Sequence, residues 1–474
     1  MKRRKTPVIA AHIAGARSWL AACVVIALLL VARAANADLH TAHVAYEKQD
    51  FKTAFTQFKE LAELGQPQAQ YALAVMYVRG EGVERSMTYG HAWASLAAAN
   101  GEPRGSVLAT DLESNLTPTS LAISVDIQVQ FNQATLDKRL MPVVLRGKDY
   151  QDRDPPRLSK PFVPEYPLDA QHKGIQGEAY VEFVVAPDGH PRIPRILYAL
   201  PAGYFEATIR DSVLKSVFLP ARINGQPMSS AYSMFYNFEM KEVSIHAYGN
   251  LEQRVAKTKL LAEGGDPSAQ MLYGMMIAGL PQLKQTRDRA VPWFLKAAQA
   301  GAPYAQYQIG TDLLLGRGCQ CDSTKGEIWL EKAAQADQTD AQVSLAEFLL
   351  RDRPNSDSLA GALVWLERAA KNGNASAKLL LSAVLAANPA PEIRDPTRAL
   401  ALADNIAHEY KNDPSLWEIR AAANASRGDY RAAVKAEAKA LSEAGSLGWD
   451  LAPLKQRQEL YVAERSWSGN LLDF

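Results

Sequence analysis

Apolar positions along most of the chain recur at helical spacing, and the pattern itself repeats. Ala269, Ala305, Ala341 and Ala377 stand 36 residues apart, each followed by a polar residue: Gln270, Gln306, Gln342 and Lys378. Trp293, Trp329 and Trp365 share a second phase, ahead of the pairs Ala297-Ala298, Ala333-Ala334 and Ala369-Ala370. The segment from Pro67 to Glu102 carries the same frame with Ala69, Gln70, Trp93 and Ala97-Ala98. Each unit predicts two short amphipathic helices, the second with its Trp and Ala pair on one buried face. Gly80/Gly82 and Gly316/Gly318 end the first helix, because glycine tolerates the left-handed conformation of a helix C-cap. One such unit cannot bury its own apolar face, so the units must stack into a solenoid. Unit 267–302 departs from the frame, with Gly279-Leu280-Pro281 at its turn.

Between Pro155 and Glu242 the period changes from helical to strand-like. Tyr180, Glu182 and Val184 alternate with Val181, Phe183 and Val185, giving a strand with one apolar face. Asp188-Gly189 marks a hairpin, and Arg192 to Ala199 supplies the returning strand. Tyr204 to Phe218 reads as a helix, with Phe205, Ile209, Val213 and Val217 on one face. Ser230 to Glu239 is again rich in aromatic and strand-forming residues. The order β-β-α-β makes a small antiparallel sheet packed on a helix. Residues 106–141 read as helices capping the first repeat block.

The first residues change the picture of where the chain resides. A basic start precedes the apolar run Trp19 to Ala32 and the triplet Ala35-Asn36-Ala37, the order of a secretory signal cleaved after Ala37. The apolar run is short for a bilayer span, and the competing reading is an uncleaved anchor; both put the remainder outside the cytoplasm. Six of the 52 Lys and Arg lie in residues 1–37, which hold no acid. The 51 Asp and Glu therefore outnumber the other 46 cations by five. A mildly acidic body argues against a nucleic-acid partner.

Candidate chemistry is sparse. Cys319 and Cys321 are the only cysteines beyond the signal; a short-range disulfide and two thiols in a repeat turn both fit them, while a structural zinc site needs more ligands. The eight His are scattered, and no metal, cofactor or catalytic motif is present. The expectation is a non-enzyme.

The repeat units, above all AQYALAVMYVRGEGV and AQYQIGTDLLLGRGCQCDSTKGEIWLEKAA, resemble the Sel-one-like repeat family, relatives of the tetratricopeptide repeats. That resemblance implies a superhelix used for protein–protein contact. The run WEIRAAANASRGDYRAAVKAEAKAL looks like a tetratricopeptide-type unit. The central segment resembles the TonB C-terminal domain: Pro164, Tyr166-Pro167, Ala170, Gly174, Gly177, Asp188-Gly189, Phe218-x-Pro220-Ala221, Gly225-x-Pro227 and the closing aromatic strand occur in its order. What this implies is an exposed edge strand, carried by Ser230, Tyr232, Met234, Tyr236 and Phe238, that an extended peptide joins as a further strand. Two departures weigh against classical energy transduction: a repeat block replaces a Pro-rich spacer, and the apolar N-terminal run lacks the Ser/His pattern of TonB-like anchors.

The reading is a multidomain chain in which helical repeat solenoids flank a small α+β domain. Its parts are a signal or anchor at 1–37, a helical repeat block at 38–141 and a linker at 142–154. The TonB-like domain follows at 155–245, the repeat solenoid at 246–412, and a tetratricopeptide-like unit with a capping helix at 413–474. The expected role is a periplasmic scaffold or adaptor for envelope proteins, either outer-membrane receptors or periplasmic complexes. The alternative is an inner-membrane-anchored transducer serving outer-membrane transport, which touches the membrane only if the N-terminal segment is retained.

Overall fold

The computed structural model describes residues 39–145, 153–154, 156–160, 163–223, 225–239, 251–280, 283–352 and 355–472. The segment 1–37, with the cleavage expected after Ala37, lies outside the described residues.

Seven helices open the described chain: α1 (Leu39–Glu47), α2 (Phe51–Ala62), α3 (Pro67–Arg79), α4 (Met87–Ala99), α5 (Pro103–Glu113), α6 (Pro118–Phe131) and α7 (Gln133–Arg139). The later repeats run through α10 (Leu251–Glu263), α11 (Pro267–Gly279), α12 (Arg287–Gln299), α13 (Pro303–Leu315), α14 (Ser323–Gln335), α15 (Thr339–Asp352), α16 (Ser356–Lys371) and α17 (Ala375–Ala387). The chain ends in α18 (Pro396–Asn405), α19 (Pro414–Ser426), α20 (Tyr430–Leu447) and α21 (Ala452–Val462). Proline at the start of α3, α11, α13 and α19 occupies a position whose N–H has no helical partner, so nothing is lost. Gly80 and Gly316 close α3 and α13 in the left-handed conformation, as their spacing predicts.

The recurring glutamine has a structural task. The Nε2 groups of Gln70, Gln270, Gln306 and Gln342 donate to Ala62 O, Ala262 O, Ala298 O and Ala334 O at 2.9–3.2 Å. In each case a buried side chain adds a second hydrogen bond to a carbonyl in the last turn of the preceding helix, one that already accepts the N–H three residues on, and so ties successive helices together. The Trp phase is less deeply buried than the pattern predicts: Trp329 is fully buried, but Trp293 and Trp365 are only partly so. Phe294, Leu330 and Leu366, one residue further on, fill the core.

The central unit holds a three-stranded antiparallel sheet in the order β4-β3-β8, formed by β3 (Gly177–Val185), β4 (Pro191–Leu200) and β8 (Ser230–Phe238). Its helix is shorter than the sequence predicts. This helix, α9, spans Glu206–Leu214, and Val217–Leu219 forms strand β5 against β2 (Arg157–Lys160). Leu219 precedes Pro220, and a residue before proline is driven to extended backbone. Two minor strands, β6 (Ala221–Ile223) and β7 (Gln226–Met228), make a hairpin beside β1 (Arg153–Asp154), and α8 (Leu168–His172) precedes β3. Val181, Phe183, Val185, Met234 and Phe238 pack against Phe205, Ile209 and Val213 of α9 in one apolar core.

The two helical blocks also touch directly. Lys325 donates to Asp137 O and Met141 O at 2.8 and 2.9 Å, and Trp329 Nε1 donates to Leu140 O at 2.8 Å. Leu64, Leu136, Leu140 and Met141 enter the same core as Phe294 and Trp329. At the other end, Arg192 lies over the Trp449 ring at 3.5 Å, and Leu214 packs with Ala440, Ala444 and Trp449. The central unit is thus enclosed by repeats rather than strung between them.

Candidate functional site

Strand β8 pairs with β3 along its whole length, from Val185↔Ser230 to Gly177↔Phe238, and with no other strand among the described residues. It is therefore an edge, with half its backbone groups turned away from β3. The five residues expected to form the docking strand are placed unevenly. Met234 and Phe238 are buried, Phe238 with its ring 4.2 Å from that of Phe205. Tyr236 is half-buried, and its hydroxyl donates to Met234 Sδ at 3.4 Å. Tyr232 is half-buried against Phe183 and Phe218, at ring distances of 5.7 and 5.1 Å. Ser230 and Tyr232 border an open groove; the other three do not. Four of the five side chains, all but Ser230, therefore pack on the core of the central unit, and the part of the edge that borders the groove is Ser230–Ser233.

The second half of β8 is shielded by the repeats. A side chain on Gly279, the last residue of α11, would bring its Cβ within 2.7 Å of Phe235 N and 3.0 Å of the Tyr180 ring. This explains why unit 267–302 breaks the usual turn: its first helix must end flush against the sheet, where only glycine fits.

The polar face of β3 holds the principal feature that sequence reasoning missed. Its alternation reads as one face in the core and one in water, yet Glu182 is 1% exposed. Glu182 Oε2 accepts from Arg317 Nη1 at 2.6 Å, and Oε1 from Tyr307 Oη at 3.1 Å and from Arg195 Nη2 at 3.5 Å. Arg195 also donates to Glu347 Oε2 at 3.2 Å. Arg317 and Arg287 share Asp312, and Arg287 reaches back to Tyr180 Oη at 2.8 Å and Ser233 Oγ at 3.3 Å. Nearby, Glu178 pairs with Arg254 of α10 and accepts from Tyr198 Oη. Burial pushes the Glu182 carboxyl up, but Arg317 and Arg195 outweigh it and hold it down at about 2. The one usable signal lay in the strand pairing, which sets Glu182 opposite Arg195. The partners on α12 and α13 and in the following turn are far away in sequence.

The groove lies between this sheet and the repeats, with a volume of about 1530 Å³. Ser230–Ser233, Val184 and Ile193 form one wall, and Leu349, Leu350, Leu363, Leu380 and Val384 of α15–α17 form the opposite one. Arg222 and Met228 of the β6–β7 hairpin stand at its rim. Cys319 is buried and Cys321 exposed, and both are free thiols in this structure. Burial pushes the Cys319 thiol up to about 12. Among the described residues no cluster of His, Cys, Asp and Glu is arranged to hold a metal, and no helix is long and apolar enough to cross a membrane.

Comparison with known families follows the same division of the chain. Residues 163–240 match the family described as Gram-negative bacterial TonB protein C-terminal. Residues 67–102, 267–301, 303–338 and 339–374 match the Sel1 repeat. Among solved structures, the chain is similar to a Sel1 repeat protein from Oxalobacter formigenes, with 16% identity, a TM-score of 0.30, and coverage of 78% of this chain and 98% of that one. It is also similar to a protective antigen present in uropathogenic Escherichia coli strains that displays an SLR fold, with 16% identity, a TM-score of 0.36, and coverage of 88% of this chain and 80% of that one. No curated protein matches the chain significantly. The chain combines a TonB C-terminal-type domain with Sel1 repeats, two kinds of interaction module rather than catalysts. The first points to a protein of the Gram-negative envelope.

Proposed function

We propose that the protein is a periplasmic scaffold that receives an extended peptide along β8 and engages a second protein through its helical repeats. The observation that carries this reading is the unpaired edge of β8, open at Ser230–Ser233 on a groove. Half of the eight backbone groups of Ser230–Ser233 face outward, and four hydrogen bonds at about 1 kcal/mol net each would give roughly 4 kcal/mol, a Kd near the millimolar range. A contact that weak gains by avidity from a second site on the same molecule, which the repeats supply.

A photo-crosslinking side chain at Ser230, in the full-length chain expressed in its envelope, is expected to capture a partner polypeptide. The same group at exposed Ser442 on α20 serves as the control. Equal yields at both positions, or none at Ser230, would remove the peptide-docking reading. Cell fractionation addresses the N-terminus. The expected result is release by osmotic shock of a chain beginning at Asp38. Retention in the inner membrane at full length would favour the anchored transducer instead.

A further inference from the structure

We infer that the peptide docks in a composite groove shared by the sheet edge and the repeats, and that it is an extended segment with alternate apolar residues and at least one carboxylate. The inference rests on the reading that β8 receives a peptide, and it adds what the far wall selects.

Size comes first. Small-molecule pockets run to roughly 300–1,000 Å³, and a groove of about 1530 Å³ exceeds them, as suits a length of polymer. The chemistry of the walls then separates polypeptide from hydrocarbon. One side offers the outward backbone N–H and C=O groups of Ser230–Ser233, which require hydrogen-bonding partners. The other side interleaves leucines with Asn355, Asn388 and Asn470. These asparagines hold their Oδ1 atoms on neighbouring backbone N–H groups of Ser358, Ala390 and Leu472. Their Nδ2 groups are donors for the carbonyls of a bound chain. An acyl chain would desolvate all of these polar groups and replace none of their water contacts.

Spacing and charge narrow the peptide further. A strand added beside β8 turns every second side chain toward the repeats, where Leu349, Leu350, Leu363, Leu380 and Val384 await apolar groups. Five arginines line the groove (Arg195, Arg222, Arg287, Arg317 and Arg351) against three glutamates (Glu182, Glu347 and Glu392). Arg195 and Arg317 are committed to Glu182 and Glu347, and Arg287 to Asp312. Arg351 also has a partner of its own, which leaves Arg222, exposed at the rim with Nη1 on Gly225 O, placed to meet a carboxylate on the occupant.

The test pans a displayed library of random nonapeptides against the full-length protein, then measures the selected consensus as a fluorescein-labelled peptide by anisotropy. Selected sequences are expected to alternate apolar residues and to carry Asp or Glu. Leu363→Asp and Arg222→Glu are each expected to weaken the labelled peptide by about tenfold or more. Circular dichroism and melting verify that each variant is folded; Arg222 lies at the surface, so its variant answers the question if Leu363→Asp does not fold. N-methylation of alternate amides in the peptide isolates the strand edge. If N-methylation abolishes binding while both variants bind like the parent, the edge reading stands and the composite groove falls. A library that yields no binder overturns the inference. So does a fluorescent long-chain fatty acid that binds the parent, is lost in Leu363→Asp and displaces the peptide, because the groove is then a lipid site.

Discussion

Glu182→Ala is expected to destabilise the folded protein by about 3–5 kcal/mol, the range seen when one partner is removed from a buried ion pair. The carboxylate is fully enclosed and receives Arg317, Arg195 and Tyr307. Removing it leaves Arg317 leaning on Asp312, which already serves Arg287. Arg195 keeps Glu347 as its ion-pair partner among the described residues. Glu182→Gln keeps the shape and an acceptor for Tyr307 but not the charge, so its loss should be smaller. The effect has a pH signature. The carboxyl sits at about 2 in the folded protein against 4.5 ordinarily, so folding favours its ionised form. That contribution is complete above pH 4.5 and drains away as pH falls toward 2. Urea unfolding at pH 7 and pH 3 checks both points: the parent should lose more stability on acidification than Glu182→Ala does. Equal midpoints for parent and variant at pH 7 would show that the central sheet is not held to the repeats through this residue.

How much of this was legible beforehand follows from what each signal encodes. The repeats could be read because each unit restates the same solution, down to the Gln that bonds the preceding helix in four units. The β3-β4-α9-β8 order could be read because a period of two and a turn signal are local properties. The end of α9 was misplaced because Val217 and Phe218 continue a helical apolar phase, while their pairing with Arg157–Lys160 is made some sixty residues away. The docking of the central unit into the repeats was not legible. Glu178 and Glu182 alternate as solvent-facing residues would, and nothing in β3 announces Arg254, Arg287 or Arg317. The same ambiguity affected the proposed site. An aromatic edge strand looks alike whether its rings face a partner or a core, and here Met234 and Phe238 face the core. The groove itself arises only from tertiary assembly, since its walls come from β8 and from α15–α17.

Glu437→Gln is expected to do the opposite of Glu182→Ala and stabilise the protein, increasingly so as pH rises. Glu437 lies on α20 with no exposed surface. The nearest cation, Arg457, has its Nε 3.6 Å from Glu437 Oε1, but its Nη2 is committed to Glu418. Tyr461, which also faces this cluster, is fully buried as well. One guanidinium cannot neutralise two carboxylates, and burial pushes Glu437 up to about 8. Folding therefore favours the protonated acid. The sign follows: stability is complete below pH 4.5, falls as the unfolded chain ionises, and is fully reduced only above pH 8. At about 1.36 kcal/mol per pH step, the deficit at pH 7 is on the order of 3 kcal/mol. A neutral amide of the same shape removes it while keeping the packing between α20 and α21. Urea midpoints of parent and Glu437→Gln should coincide near pH 4.5 and diverge through pH 7 to 8.5, with the variant higher. Parallel curves would mean that Arg457 neutralises Glu437 after all, and that Glu418 bears the proton.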